Sequence, residues 1–249
     1  MIIECARVGF RFHLRYELLT RILSGLGDTH HSFTTLARQL SLPSTLCLSV
    51  LAPTPLPFDL GPGNHWGDDI LFDPSPSAPP IETDTGFSRA RRMVTQHVIR
   101  DTLMGKCAAQ PREIMLFGFG QGGSAALAAA VALIEQTEEA AGKASQTLGG
   151  IISIGGPLPT DAKLSQAMAE AGRKCQTPVL ICAGATGSAV TKTNEVRLRA
   201  VFESVEVVRW QRRGDGMMRN REEMLPIMRF FARHLRSRAG VPSGAVEVG

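Results

Sequence analysis

Residues 113–130 read Glu-Ile-Met-Leu-Phe-Gly-Phe-Gly-Gln-Gly-Gly-Ser-Ala-Ala-Leu-Ala-Ala-Ala. The apolar run at 114–117 predicts a buried β-strand, and the glycines that follow it predict a tight turn. The small residues after that turn predict a helix that can pack closely on the sheet. This strand–turn–helix unit indicates an α/β fold, because such units build a parallel sheet with helices around it.

The rest of the chain repeats the same alternation of short apolar runs and helical patterns. Further strands are predicted at 45–51, 150–154, 178–182 and 205–210. Helices are predicted at 32–40, 86–104, 122–138, 161–171, 192–203 and 221–236, with Ser32 and Asp161 as N-caps. The last helix places its core side chains on one face: Met224, Ile227, Met228, Phe231 and Leu235. We therefore expect a mainly parallel central sheet with helices on both faces.

Composition narrows the class of protein. The chain has 249 residues, of which 43% are hydrophobic and 20% charged, which suits a single domain with a sizeable core. The net charge is only +4, and the C-terminal arginines alternate with acidic residues, so we expect no nucleic-acid partner. The five cysteines are odd in number and lack CxxC spacing, with Cys47 and Cys182 in apolar runs. These features predict a cytoplasmic protein, and no apolar stretch is long enough to span a membrane.

Residues 52–86 are rich in proline and interrupt the alternation. We interpret this segment as a lid or binding loop. Its first half is expected to be ordered because Phe58, His65 and Trp66 are costly to expose, and Asp68 lies beside them. The second half, from Asp73 to Pro80, is expected to be looser. The surrounding single domain is predicted to cover 25–238, with a flexible tail at 239–249.

Two interpretations of the glycine turn compete. Gly118-x-Gly120-x-x-Gly123 matches a dinucleotide-binding fingerprint, which also needs an acidic residue at the end of the next strand. That strand ends in Gly155-Gly156-Pro157, so this interpretation is kept only as a weaker alternative. The same turn has the layout of a nucleophile elbow, Gly-x-Ser-x-Gly, but Gly120 stands at the serine position.

The elbow interpretation agrees with more of the chain. The run from Gly118 to Gly123 resembles the Gly-Phe-Ser-Gln-Gly-Gly elbow of the phospholipase/carboxylesterase family, which includes the acyl-protein thioesterases. Gly25-Leu26-Gly27-Asp28 resembles that family's glycine loop. Weaker matches follow in the same order at 52–55, 65–68, 177–180 and 221–224. The resemblance spans about 22–236 and implies an α/β-hydrolase fold, with backbone N–H groups of Leu26 and Gln121 forming the oxyanion hole.

The family's catalytic triad does not carry over to this chain. The positions of serine, aspartate and histidine correspond to Gly120, Gly187 and Met217. The resemblance therefore predicts a pseudoenzyme that binds a small acyl or ester ligand, or a protein partner, without a cofactor or metal. An active ester or thioester hydrolase that uses relocated residues is the alternative, with Asp215, His65 and Ser188 as candidates.

Residues 1–24 depart from the family pattern. The run at 16–24 is interpreted as a helix, with Ser24 where the family has histidine. In that case the first strand would come from other residues, such as 6–14.

Overall fold

The computed structural model describes residues 3–6, 18–23, 30–43, 45–57, 63–72, 81–82, 84–139, 146–164 and 169–235. The predicted sites at Leu26 and Phe58, the second half of the proline-rich segment (73–80) and the tail at 239–249 lie outside these residues.

A central sheet contains seven strands of the described chain. In chain order these are β1 (Ile3–Ala6), β2 (Leu18–Leu23), β3 (Thr45–Val50), then, after four short strands, β8 (Ile114–Phe119), β9 (Gly150–Ile154), β10 (Val179–Thr186) and β11 (Val205–Arg213). The spatial order is β1-β3-β2-β8-β9-β10-β11. Strand β1 is antiparallel to β3, and all the other pairs are parallel.

The four short strands form two small antiparallel pairs within the proline-rich segment. Strand β4 (Thr54–Pro55) pairs with β5 (Asn64–His65), and β6 (Leu71–Phe72) pairs with β7 (Ile81–Glu82). The described part of this segment therefore has secondary structure of its own.

Helices pack on both faces of the sheet. They are α1 (His30–Leu40), α2 (Ser88–Arg92, continued by a π-helix at Met93–Lys106), α3 (Gln121–Glu139), α4 (Lys192–Val201) and α5 (Arg221–His234). On one face, α2, α3 and α4 cover a buried cluster that includes Val98, Leu127 and Leu198. On the other face, α1 and α5 cover a second cluster that includes Phe33 and Phe230. The predicted fold class is confirmed.

The predicted strands and the core face of the last helix are also confirmed. Each predicted strand overlaps a strand of the sheet, with ends that shift by a few residues. In α5, Ile227 and Phe231 are fully buried, and Met224 and Met228 pack against the same cluster. Cys47 and Cys182 are buried, as their apolar surroundings predicted.

Two N-cap predictions are wrong. Helix α1 begins at His30, so Ser32 lies inside its first turn. Asp161 lies in a turn that does not continue directly into the helix predicted at 161–171. Its carboxylate instead accepts a hydrogen bond from the N–H of Phe87, 3.2 Å away, at the start of α2. A carboxylate brought in from a distant part of the chain thus replaces the expected local cap.

The helix predicted at 16–24 is wrong as well. Residues 18–23 form β2, which lies between β3 and β8 and pairs with both. Pairing along both edges outweighs the local preference, because strand formation depends strongly on neighbouring strands. Strand β1 lies at Ile3–Ala6, and residues 7–14 of the proposed first strand fall outside the described residues.

Candidate active site

The turn between β8 and α3 holds Gly120 in the left-handed region, with φ +51°. Its N–H donates to the carbonyl oxygen of Ile154 at 2.9 Å, and its own carbonyl accepts from the N–H of Ser124 at 3.1 Å. A Cβ added at Gly120 would meet no atom within 4 Å. The elbow shape is therefore present, with open space where a nucleophile side chain would begin.

Close packing holds this turn in place. A Cβ on Gly118 would come closer than 3.0 Å to the backbone of Gly122 and Gly123. A Cβ on Gly156 would come equally close to the carbonyl oxygen of Gly120. These glycines let the start of α3 approach the ends of β8 and β9, so their absence of side chains has a packing reason.

The two serines beside the elbow are used in the structure. Ser124, on α3, is buried and donates its hydroxyl to the carbonyl oxygen of Pro157 at 2.8 Å. Ser153, on β9, is fully buried and donates to the carbonyl oxygen of Gly156 at 2.8 Å. Both hydroxyls fix the loop after β9.

Asp215, a candidate from the sequence, joins the loops that follow β10 and β11. Its Oδ1 accepts from the N–H of Gly184 at 3.0 Å. Its Oδ2 accepts from the hydroxyl of Ser188 at 3.0 Å and from the N–H of Ala189 at 2.8 Å. The side chain also lies against Gly155, at the end of β9. The carboxylate is therefore held by three donors and binds one loop to the other.

Ser188 is brought next to Asp215 but is not free to act. Its hydroxyl donates to Asp215 and at the same time accepts from the N–H of Val190 at 3.0 Å. This pattern is that of a serine that shapes a loop. No described histidine forms a hydrogen bond with either Ser188 or Asp215.

The other two positions predicted for the triad, Gly187 and Met217, carry no ionisable side chain. Gly187 has φ +63° and lies near the side chain of Arg213. Met217 is half-buried and packs against the core cluster beneath α1 and α5. The loop of Met217 is braced by Arg212, which donates to the carbonyl oxygens of Gly216 and Met217 at 2.7 and 3.0 Å.

The proline-rich segment reaches the elbow through Gln121. The side-chain Oε1 of Gln121 accepts from the N–H of Trp66 at 3.1 Å, and both residues are buried. Trp66 is thus part of the core, as expected from the cost of exposing it, and the role of its segment as a lid stays a prediction. His65 is also buried, and its Nδ1 has no hydrogen-bond partner among the described residues. Burial and the nearby Arg89 lower the pKa of His65, although Asp69 opposes them, which favours the neutral imidazole.

Asp68 serves the start of α2. Its Oδ2 accepts from the N–H and hydroxyl of Ser88 at 2.8 and 2.6 Å, and its Oδ1 accepts from the N–H of Arg89 at 2.8 Å. Burial raises the pKa of Asp68, but these hydrogen bonds outweigh it and leave the pKa below its usual value. Asp68 is therefore an ionised helix cap.

Sequence reasoning missed two features of this region. One is the hydrogen bond that the side chain of Gln121 accepts from the N–H of Trp66, because the elbow motif assigns a role only to the backbone N–H of Gln121. The other is the buried ion pair between Arg212 and Glu223, 3.0 Å apart, which fastens the loop before α5. The run at 221–224 contains Glu223, but no sequence signal identifies Arg212 as its partner.

Metal binding gains no support from the described residues. Among them, no group of three or more His, Cys, Asp or Glu side chains is placed to hold a metal ion. Likewise, no described helix is long and apolar enough to cross a membrane.

The parallel sheet, its two helical layers and the strand–Gly120–helix turn define an α/β-hydrolase-fold protein. The chain belongs to the phospholipase/carboxylesterase family, whose model matches residues 22–209. This result confirms the resemblance drawn from the elbow and the glycine loop.

Individual relatives agree with this assignment. An uncharacterized hydrolase of Schizosaccharomyces pombe is 29% identical over 194 residues, which cover 77% of this chain and 72% of that protein. An uncharacterized hydrolase of Mycosarcoma maydis is 31% identical over 161 residues, or 64% of this chain, and the match spans about half (53%) of that relative. Acyl-protein thioesterase 2 of Zea mays superposes with a TM-score of 0.66 at 20% identity, covering 94% of this chain and 99% of that one. The structural likeness supports the fold.

Proposed function

We propose that this protein is a non-catalytic member of the family, which binds a small acyl or ester ligand, or an acylated protein partner, at the elbow. The observation that carries the proposal is Gly120. It keeps the backbone conformation of an elbow, and it supplies no nucleophile. Catalysis by the usual serine route requires a hydroxyl at this point, within reach of a base.

The remaining groups at the sheet edge support the same proposal. A general base needs a free lone pair directed at the nucleophile. Asp215 instead accepts three hydrogen bonds, one from Gly184 near the end of β10 and two from the loop that follows it. Ser188 is bound on both sides by Asp215 and Val190. Recruiting either residue for hydrolysis would break the contacts that join the two loops.

Ligand binding has a separate basis in the backbone. The first N–H groups of a helix lack intrahelical acceptors and carry partial positive charge. Gln121 is the first residue of α3, and the space above its neighbour Gly120 is open. A carboxylate or ester oxygen placed there would accept from these N–H groups, as an oxyanion does in the active enzymes of this fold.

Fluorophosphonate labelling tests the absence of catalysis. We expect no serine of the folded protein to be modified, and no turnover of p-nitrophenyl esters above the buffer rate. A serine hydrolase of known activity serves as the positive control. Covalent labelling of any serine, identified by mass spectrometry, would contradict the proposal and favour hydrolysis by relocated residues.

Ligand binding needs its own test, since an inactive protein need not bind. Octanoate is titrated while the melting temperature or heat of binding is measured. The variant Gly120→Leu fills the open space above the elbow and should abolish the response. Gly172→Leu is the matched control, because Gly172 has a similar φ of +65° and equally open surroundings, but lies far from the elbow in the sequence. Equal loss in both variants would contradict binding at the elbow.

The weaker dinucleotide alternative is tested in the same assay. If NAD or NADP raised the melting temperature and Gly120→Leu removed the effect, the glycine turn would be a nucleotide site. We expect neither nucleotide to act, because β9 ends without a carboxylate that could hold a ribose.

A cytoplasmic location also stays a proposal. Cys47, Cys107, Cys175 and Cys182 are all free thiols in the structure. Free thiols suit a reducing compartment, which supports this proposal. Fluorescence microscopy of the tagged full chain would test it.

A further inference from the structure

A cavity of about 370 Å³ opens along one face of α2, and none of its described lining residues belongs to the elbow. Its volume lies near the lower end of the range for small-molecule sites, roughly 300–1,000 Å³. The described residues that line it are Ser88, Arg91, Arg92, Thr95 and Gln96. Each of these side chains carries a polar or charged group, and the aliphatic parts of the same side chains supply apolar surface.

Three of the lining side chains already have partners. Ser88 donates to Asp68. Thr95 donates to the carbonyl oxygen of Arg91 at 2.8 Å, and Gln96 donates to Asp101 at 2.8 Å. These contacts hold the wall of the cavity in shape.

The two arginines are different. Among the described residues, no acidic side chain forms an ion pair with Arg91 or Arg92, and neither guanidinium donates a hydrogen bond to a described acceptor. Their neighbour Arg89, by contrast, donates to the hydroxyl of Thr54 at 3.0 Å. The cavity therefore carries two positive charges, and its two guanidinium groups offer up to ten N–H donors to a ligand.

We propose that this cavity binds the phosphate group of a phosphate monoester. A guanidinium offers a planar fork that matches two oxygens of a phosphate or carboxylate. A carboxylate has only two oxygens and suits one fork, whereas a phosphate monoester has three terminal oxygens and nearly two negative charges. It can therefore engage both Arg91 and Arg92, and the cavity leaves room for the esterified group.

The helix terminus itself is not the binding element. The N–H groups of Ser88 and Arg89 are occupied by Asp68, and that of Phe87 by Asp161. The side chains of Arg91 and Arg92, one turn further on, provide the charge. The described lining residues do not include the elbow, so binding at this site can be tested independently of the function proposed above.

Isothermal titration with glycerol 3-phosphate at low ionic strength tests the proposal, with glycerol as the uncharged control. The double variant R91Q/R92Q should weaken binding about tenfold or more, the loss expected for charge-assisted hydrogen bonds. The matched control is R221Q/R229Q, which removes two exposed arginines from α5 and lowers the net charge equally. Its affinity should stay within about twofold of the wild type, because distant exposed charges are screened by salt.

Two further arms complete the experiment. Vesicles of phosphatidylcholine with and without phosphatidic acid distinguish a lipid headgroup from a soluble ester. The variant R91K/R92K keeps the charge but loses the planar forks, so it should also bind more weakly than the wild type. It serves as a second variant should R91Q/R92Q fail to fold.

The outcomes separate cleanly. Binding of either glycerol 3-phosphate or phosphatidic acid that is lost in R91Q/R92Q and kept in R221Q/R229Q supports the site. Absence of binding to both probes would overturn it. Equal weakening in the two double variants would also overturn it, because the attraction would then come from net charge alone.

Discussion

Replacing Asp215 with alanine should destabilise the protein by about 2–4 kcal/mol, and the structure shows where this cost arises. Asp215 accepts from Gly184, Ser188 and Ala189. Gly184 is buried, so its N–H would lose its acceptor without gaining water, at a cost of about 1–3 kcal/mol. Ser188 and Ala189 are more exposed, and water can replace much of what they lose, so each adds roughly 0.5 kcal/mol.

Urea unfolding measures this prediction. Trp66 and Trp210 are both buried, so their fluorescence should report loss of the core. Asp215→Asn keeps the shape and one oxygen, and should cost less than Asp215→Ala. Glu206→Ala is the control. Glu206 pairs with Arg233 at the surface, and its replacement by alanine also removes one negative charge. Such exposed pairs contribute about 0–1 kcal/mol.

Equal free energies of unfolding for Asp215→Ala and Glu206→Ala would contradict this prediction. A second outcome bears on function. If Asp215→Ala abolished ester hydrolysis while its stability stayed unchanged, Asp215 would be a catalytic residue, and the relocated-hydrolase alternative would replace the pseudoenzyme proposal.

Three further predictions address the elbow, the α2 cap and the thiols. Gly120→Ala and Gly172→Ala should each lower the free energy of unfolding in urea by about 1–2 kcal/mol, because both glycines have a left-handed φ and open surroundings. A much larger loss at Gly120 than at Gly172 would contradict this expectation. The pKa of Asp68 is lowered by folding, so its contribution is present above about pH 4 and is lost as the pH falls through the folded value. Wild type should therefore lose more unfolding free energy than Asp68→Asn between about pH 5 and pH 2, and parallel pH curves would contradict this. The exposed Cys107 should react rapidly with a thiol reagent. Cys182 should react only on unfolding, because burial raises its pKa to about 12. Peptide mapping of the labelled protein measures which cysteine has reacted.

Sequence patterns predicted five of the seven strands of the sheet, and the failure at β2 has a clear reason. Strands such as 114–117 are continuous apolar runs, as expected for parallel strands buried on both faces. Strand β2 reads Leu-Leu-Thr-Arg-Ile-Leu, with apolar residues at 18, 19, 22 and 23. This spacing is that of a helix face, so periodicity alone indicates the wrong element. Only the neighbouring strands β3 and β8 determine that the segment is extended.

The candidate site was predictable where it depends on local spacing. The glycine pattern around Gly120 located the elbow, because strand, turn and helix follow one another directly in the chain. The partners of Asp215 were not predictable, since Gly184 lies 31 residues away and only the parallel pairing of β10 with β11 brings their loops together. For the same reason, the cap that Asp68 provides for Ser88, 20 residues further on, has no local signal.

The elbow in this chain has a structural purpose that does not depend on catalysis. Gly118 and Gly156 are confined by backbone atoms, so the approach of α3 to the sheet requires both of them. The N–H of Gly120 ties the turn to β9 whether or not a nucleophile is present. An intact elbow is therefore evidence for the fold and for the geometry of a binding site, but not for hydrolysis. Activity in this family has to be judged from the side chains presented at the elbow and at the loops after β10 and β11, where the resemblance predicts the triad positions to be Gly120, Gly187 and Met217.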